Sequence, residues 1–385
     1  MIYFDQAASS FPKPPEVGKE LIKFIDGNGA NPGRSGHALA REAAAVINQT
    51  REKAAELFGC SDPKQALFYS NATIALNQAI KGLPWNQGDH IIATSFEHNS
   101  IRRPLEFLKK NHGVEVSYIP WNDDSDQFVQ MVKNEVRNET KLFAVTHASN
   151  VTGAMMPIDK ISKIAKENKI ITLVDASQTA GHQSIHMKKQ GIDMLAFPGH
   201  KGLMGPQGTG MLLIEGEIEL MPILHGGTGG FSENPDQPDK LPERLESGTL
   251  NTPGIAGLYA AFKAYEDRKT EIVPRETILI KKLLKGLKAM PDVTCYGPKE
   301  DQQRMAIAAF NIKNIDSQEI AMVLDSYYNI AVRAGLHCSP LTHDTLQTAE
   351  QGIVRVSLGI YNTEEEVETF LHAIEEITAA YKEIE

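Results

Sequence analysis

Ile170-Ile171-Thr172-Leu173-Val174-Asp175-Ala176-Ser177-Gln178 is the stretch that decides the fold. Its opening run of aliphatic and β-branched residues, with no charged residue alternating through it, reads as a strand buried on both faces, as in a parallel sheet covered by helices. The run stops at a carboxylate and an amide. Before it, residues 157–168 read as an amphipathic helix; after it, a second apolar run ends in Phe197-Pro198-Gly199-His200-Lys201-Gly202. The same alternation continues outward. Strands are expected near 90–94, 114–119, 141–146, 170–174, 193–197 and 210–214, and helices near 71–82, 99–112, 126–137 and 157–168. Strands interleaved with helices at this spacing make an α/β sheet, mostly parallel.

Upstream, Ala38 to Phe58 reads as one long helix rich in Ala and Glu, ended by Gly59 where a left-handed cap is required. From about 225 to 253 the composition shifts to Gly, Pro and Asp, in His225-Gly226-Gly227-Thr228-Gly229-Gly230 and Asn234-Pro235-Asp236-Gln237-Pro238. A loop of that length in a compact protein is usually functional. Beyond it, helices near 254–267, 274–289, 317–327 and 363–383 and strands near 306–312, 330–333 and 353–357 read as a second, α+β domain.

A chain of 385 residues exceeds the usual size of one hydrophobic core. Its formal charge of -10 disfavours a nucleic-acid footprint, which clustered Lys and Arg would provide. No apolar run is long enough to span a bilayer. Met1-Ile2-Tyr3-Phe4-Asp5 has neither a basic leader nor a long apolar stretch, so a cytoplasmic protein is expected. Cys60, Cys295 and Cys338, odd in number and widely spaced, suit neither a disulfide framework nor a zinc site. No metal is expected, and a functional cysteine here would be a free thiol.

Ligands of open α/β sheets bind outside the carboxyl ends of the strands, so the residues that end each apolar run are the candidates. Taken alone, each has an ordinary reading. Asp175 can cap a turn, Lys201 can be a solvated charge, and His98 can be a structural hydrogen bonder. Together they suit one ligand. The interval from Asp175 to Lys201 is that of a strand–crossover–strand unit, so adjacent strand ends bring the two side chains together. Pyridoxal 5'-phosphate needs a lysine for its aldehyde and a carboxylate to keep its pyridine nitrogen protonated, since that charge makes the ring an electron sink. Gln178 can donate to the ring hydroxyl, and the imidazole of His98 can stack on the ring. Tyr69-Ser70-Asn71-Ala72-Thr73 leads into a helix whose free amides favour an anion, although it also reads as a plain Ser/Asn cap.

With these pieces in order, the chain resembles the class V aminotransferase family of fold type I pyridoxal phosphate enzymes, and within it the cysteine desulfurases. The resemblance covers nearly the whole chain. It rests on Tyr3-Phe4-Asp5-Gln6-Ala7-Ala8, Glu97-His98-Asn99, Ser149-Asn150-Val151-Thr152-Gly153, Val174-Asp175-Ala176-Ser177-Gln178 and Gly199-His200-Lys201. It continues through Gly248-Thr249-Leu250-Asn251-Thr252, Arg333-Ala334-Gly335-Leu336-His337-Cys338 and Arg355-Val356-Ser357-Leu358. The order is more specific than any one motif. The implied fold is a large domain, 15–253, with a mostly parallel seven-stranded sheet flanked by helices. Residues 1–14 and 254–385 would form a smaller α+β domain carrying Cys338. Position by position, the resemblance implies Lys201 for the Schiff base, Asp175 for the pyridine nitrogen, Gln178 for the ring hydroxyl and His98 for stacking. It implies Ala72, Thr73 and His200 at the phosphate, and Asn150, Arg355 and Arg333 at the substrate. A homodimer is implied too, with Thr249 reaching the phosphate across the interface. Pro198 stands where a small hydroxyl residue is usual, and Ala72 where Thr is frequent, so weaker cofactor binding is expected.

The cofactor alone does not fix the reaction, because transamination, racemisation and elimination share its chemistry. Cys338 discriminates. On a loop of the second domain its thiol can reach the cleft, with Arg333 and His337 as neighbours that favour thiolate. The expected reaction takes L-cysteine to L-alanine: Arg355 and Asn150 hold the carboxylate, Lys201 removes the α-proton, His98 shuttles protons, and Cys338 takes the sulfur as a persulfide. The short span from Arg333 to Cys338 resembles desulfurases with a brief catalytic-cysteine loop, whose members often deliver sulfur to an acceptor protein and accommodate L-selenocysteine. The alternatives are a selenocysteine lyase, an aminotransferase or kynureninase-like enzyme, or a non-catalytic scaffold in sulfur or iron-sulfur assembly.

Overall fold

A computed structural model describes residues 1–32, 36–230, 233–299 and 302–382, so residues 231 and 232 of the glycine-rich stretch and the expected helix end at 383 lie outside it. Seven strands form the main sheet in the order Ala66–Tyr69, Gly210–Ile214, Met194–Pro198, Ile171–Asp175, Thr140–Thr146, His90–Thr94, Glu115–Ile119. All neighbours are parallel except those of Gly210–Ile214, which runs antiparallel to both of its own. Side chains alternate between two cores. Val174, Leu195, Phe197, Val145 and Phe143 pack on one face; Leu173, Met194, Ala196, Ala144 and Leu142 pack on the other. Burial of both faces is why these runs show no polar alternation.

The expected strands and helices of the first two-thirds appear within a residue or two of their expected bounds. Ala66–Tyr69, an edge strand of 4 residues, was not among them. Helix Ala38–Phe58 ends at Gly59, whose φ of 67° places it in the left-handed region. Arg51 from this helix forks onto Glu246 at 2.8 and 2.9 Å, and Glu246 also accepts the amide of Phe68 at 2.7 Å. This buried pair ties the helix, the edge strand and the end of the glycine-rich loop together.

Downstream, the sequence reading needs two corrections. The helices expected at 254–267 and 274–289 are one helix of 37 residues, Thr252–Lys288, that runs straight through Pro274. Proline removes one rung of the helix ladder at a cost of about 3 kcal/mol. Packing on both sides of it offsets that cost: Phe262 belongs to the main-sheet core, and Leu279, Leu283 and Leu287 to the second core. The strand expected at 330–333 is two. Ile330–Ala331 pairs in parallel with Ile2–Tyr3, while Arg333–Gly335 pairs antiparallel with Ile353–Ser357. The second sheet has the order Arg333–Gly335, Ile353–Ser357, Ile307–Ile312, Val293–Tyr296. Phe4, from the N-terminal segment, is fully buried in its core. Pro15–Gly27 and Pro340–Leu346 are helices the sequence reading did not separate from their surroundings. No helix among the described residues is long and apolar enough to cross a membrane.

Candidate active site

The parallel strands set their carboxyl ends side by side, with Thr146 opposite Asp175 and Asp175 opposite Ala196. Lys201 follows the next strand end within three residues. Asp175 is buried, and its Oδ1 accepts from the amide of Ser177 at 2.9 Å and from the Ser177 hydroxyl. Burial pushes its carboxyl above the ordinary range, against the pull of Ser177 and of the Lys201 ammonium. Lys201 is drawn down to about 8, first by burial and then by the cations Arg355 and Arg333, with Asp175 and Asp5 opposing. Its ammonium makes no hydrogen bond to a described residue. An amine whose proton is loosened beside a carboxylate that gains from a cationic N–H is the polarity a pyridine aldehyde requires.

The start of helix Ala72–Lys81 could hold an anion. Asn71 caps helix Ala72–Lys81 by accepting the amide of Ile74 at 3.0 Å, and its carbonyl takes that of Ala75. The amides of Ala72 and Thr73 are left pointing out of the helix end. Gly210 permits the close seating of this end on the sheet: a Cβ there would lie 2.6 Å from the carbonyl carbon of Asn71. The Thr73 hydroxyl meets that of Ser100 at 2.8 Å, and Ser100 in turn lies 2.9 Å from Nδ1 of His98. His200 has a buried Nδ1 with no partner and is held neutral, at about 4, by burial and by the nearby Lys201 and Lys13. Pro198 ends its strand opposite Gly210 and donates nothing. These groups fit pyridoxal phosphate, with Asp175 and Lys201 at the ring and the helix end at the phosphate.

His98 is held neutral, at about 4, chiefly by burial and then by Lys201, Arg333, Arg103 and Arg355. Gln178 is buried, and its amide nitrogen donates to the carbonyl of Ala7 at 3.2 Å. Arg355 is nearly inaccessible; its Nη1 donates to the carbonyl of Asn150 at 2.9 Å and its Nη2 to Oδ1 of Asp5 at 2.6 Å. Its Nε, also buried, has no partner. Arg333 is exposed and sits across the strand pair from Arg355. Asn150, expected at the substrate, spends its side chain on the segment that bears Cys338. Its Nδ2 donates to the carbonyl of His337 at 2.8 Å, and its Oδ1 accepts from the hydroxyl of Ser339 at 2.7 Å.

Cys338 itself is exposed, and its carbonyl accepts the amide of Asn99 at 2.7 Å, beside His98. His337, expected as a positive or polarisable neighbour of the thiol, is not positive. It is buried against the carbonyl of Ile353 at 2.9 Å, and burial holds it neutral at about 2, so it brings no positive charge to the thiol. Cys60 and Cys295 are pushed up to about 11 by burial, which leaves their thiols protonated and inert. Thr249 lies exposed in the loop after Gly248 and lines a surface cavity with Ser70 and Ile74, at the start of helix Ala72–Lys81.

The sequence reading missed two residues of this cluster. Glu97 is fully buried, accepts Thr94 Oγ1 at 2.6 Å and the amide of Thr146 at 2.9 Å, and is pushed up to about 8 by burial. It locks two strand ends together and so fixes where His98 stands. Asp5 is the partner of Arg355. Both lie inside motifs quoted for the resemblance, but nothing in their spacing assigns them a role.

A family model described as Aminotransferase class-V matches residues 2–370. A probable cysteine desulfurase of Methanothermobacter thermautotrophicus is 32% identical over 383 residues, 98% of this chain and 94% of that protein. One of Pyrococcus abyssi is 33% identical over 392 residues, 99% of this chain and 95% of that protein. Among solved structures, the apo cysteine desulfurase of Thermococcus onnurineus superimposes with a TM-score of 0.91 at 33% identity, covering 98% of this chain and 95% of that one.

Proposed function

We propose that this chain, which belongs to the class V aminotransferase family, is a pyridoxal phosphate-dependent cysteine desulfurase that converts L-cysteine to L-alanine and takes the sulfur onto Cys338. The observation that carries this reading is the shared use of Asn150. Its carbonyl receives the guanidinium of Arg355, while its side chain holds the segment of an exposed thiol. A carboxylate site and a sulfur nucleophile are thereby tied to one residue. An aminotransferase or a kynureninase-like hydrolase has no use for that thiol.

When bound, pyridoxal phosphate supplies an electron sink that acidifies Cα and weakens the Cβ–S bond of the substrate. The chain does the rest. Arg355 presents a planar fork to the α-carboxylate. Lys201, drawn down to about 8, accepts the α-proton at Nζ near neutral pH. His98, neutral in this range, passes protons between Lys201 and the substrate. The Sγ of Cys338, as thiolate, attacks the substrate sulfur. An S–S bond forms as the Cβ–S bond breaks, and Cβ takes a proton to become the methyl of alanine. L-Cysteine plus thiol becomes L-alanine plus persulfide, with no external oxidant. The persulfide is then available to an acceptor thiol, on a small molecule or an acceptor protein.

The same reading gives a cytoplasmic homodimer, divided into 15–253 and 1–14 with 254–385, in which Thr249 reaches the partner's phosphate site. Exposure of Thr249, with Leu224 more than half exposed beside it, supports that interface. Cys338→Ala is expected to keep the cofactor absorbance and lose alanine release from L-cysteine; retained turnover would sink the covalent role. Lys201→Ala is expected to lose the absorbance of the lysine-bound cofactor. Alanine formation from L-selenocysteine but not L-cysteine would replace this reading with a selenocysteine lyase.

A further inference from the structure

Asp5 has no part in the chemistry above, yet it sits on the residue that defines the substrate. Its Oδ1 lies 2.6 Å from Nη2 of Arg355, and its charge reaches Lys201. The two partners differ in access: the Arg355 side chain is 2% exposed and that of Asp5 20%. The backbone around Asp5 is pinned, since it bridges to Ser357, with the amide of Phe4 on the carbonyl of Ala331 at 2.9 Å and that of Ser357 on the carbonyl of Phe4 at 2.8 Å. Only its side chain is free to turn.

A buried guanidinium cannot stand without a counter-charge, because an unpaired ion in a low-polarity interior is strongly disfavoured. In the free protein that counter-charge is Asp5. The pairing is incomplete, however. Nε and Nη2 form one edge of the planar fork, the edge that takes a carboxylate through two parallel hydrogen bonds. Asp5 uses Nη2 alone, and Nε stays buried without a partner. A carboxylate that reaches both atoms makes one charge-assisted bond more than Asp5 does.

We propose that Asp5 is a specificity-determining residue: it neutralises Arg355 while no substrate is bound and yields Nη2 to an incoming α-carboxylate, which alone can use the whole Nε–Nη2 edge. Amines without a carboxylate leave Asp5 in place and gain nothing from Arg355. Affinity for amino acids is therefore set below what the fork would give by itself, which also favours release of the amino-acid product. This inference rests on Arg355 as the carboxylate site of the proposed function.

The test is an absorbance titration of the holoenzyme with L-alanine and with ethylamine, its counterpart lacking the carboxylate. Asp5→Asn is expected to bind L-alanine about tenfold more tightly, equivalent to about 1.4 kcal/mol, and ethylamine no differently. Asp5→Glu, which keeps the charge, is expected to match the wild type. Weaker L-alanine binding in Asp5→Asn would mean that Asp5 orients Arg355, and equal tightening for both ligands would mean that it acts through Lys201. Either overturns the proposal. Should Asp5→Asn fail to fold, a crystal structure of the wild type with L-alanine decides the matter: Asp5 should have left Nη2, and a retained bond overturns the inference. Neither measurement needs turnover, so failure of the desulfurase assay would leave the role of Asp5 separately decided.

Discussion

Asn150→Ala separates two jobs that one residue can do. His337 and Cys338 stand at φ 49° and 58°, in the left-handed region where each non-glycine residue costs roughly 1 kcal/mol or more. Four external hydrogen bonds oppose that cost: two from the Asn150 side chain, one from the amide of Asn99, and one from the His337 ring to Ile353. Alanine removes the first two and strands the His337 carbonyl and the Ser339 hydroxyl, both on buried residues. At about 1–1.5 kcal/mol for each bond, the segment loses about 2–3 kcal/mol of local stability. That is a rise of roughly 30- to 150-fold in its open population. Hydrogen exchange at the Ser339 amide, which donates to the carbonyl of Leu336 at 2.9 Å, should accelerate by that factor. In steady-state assays with L-cysteine, kcat for alanine release should fall, while KM moves by less than about threefold and cofactor absorbance is retained. Unchanged exchange together with a KM raised tenfold or more would refute the reasoning, and would return Asn150 to the direct substrate role its motif suggested.

Acid should weaken the fold through its neutral histidines. Burial holds His98, His147 and His200 at about 4 and His337 at about 2, against an ordinary value of 6.5. Below pH 6.5 the unfolded chain therefore binds more protons at these four sites than the folded one, and the stability they contribute falls progressively toward pH 4, opposed in part by Glu97, which keeps its proton in the folded chain. Urea midpoints of the apoprotein at pH 7 and pH 5 check this; equal midpoints would contradict it. Glu246→Ala leaves Arg51 buried without its carboxylate and the Phe68 amide without its acceptor. A loss of about 3–5 kcal/mol is expected in denaturant unfolding. A loss under about 1 kcal/mol would show that the pair is dispensable. An Arg51→Met, Glu246→Leu double variant should recover most of the stability.

Local sequence was enough for the strands of the main sheet, because residues buried on both faces must be apolar throughout and their runs end where the chain meets water. It was enough to place Lys201 and Asp175 at neighbouring strand ends as well, since a strand end is a fixed place in an α/β fold and one crossover separates the two. The exposed thiol of Cys338, unlike Cys60 and Cys295, was legible from its motif. Tertiary structure decided what depends on contacts between distant segments. Helix Thr252–Lys288 survives Pro274 because cores at both of its ends hold it, and no local propensity records that. His337 read as a positive or polarisable neighbour of the thiol, and burial against Ile353 makes it a neutral strut. Asn150 and Asp5 lie in motifs that named them without a task. Only the meeting of segments 187 residues and more apart shows Asn150 holding the Cys338 loop and Asp5 sitting on Arg355. Chain-local patterning is governed by burial and backbone geometry, and is written in the order of residues. Hydrogen-bond partnership and charge pairing depend on which segments the fold brings together.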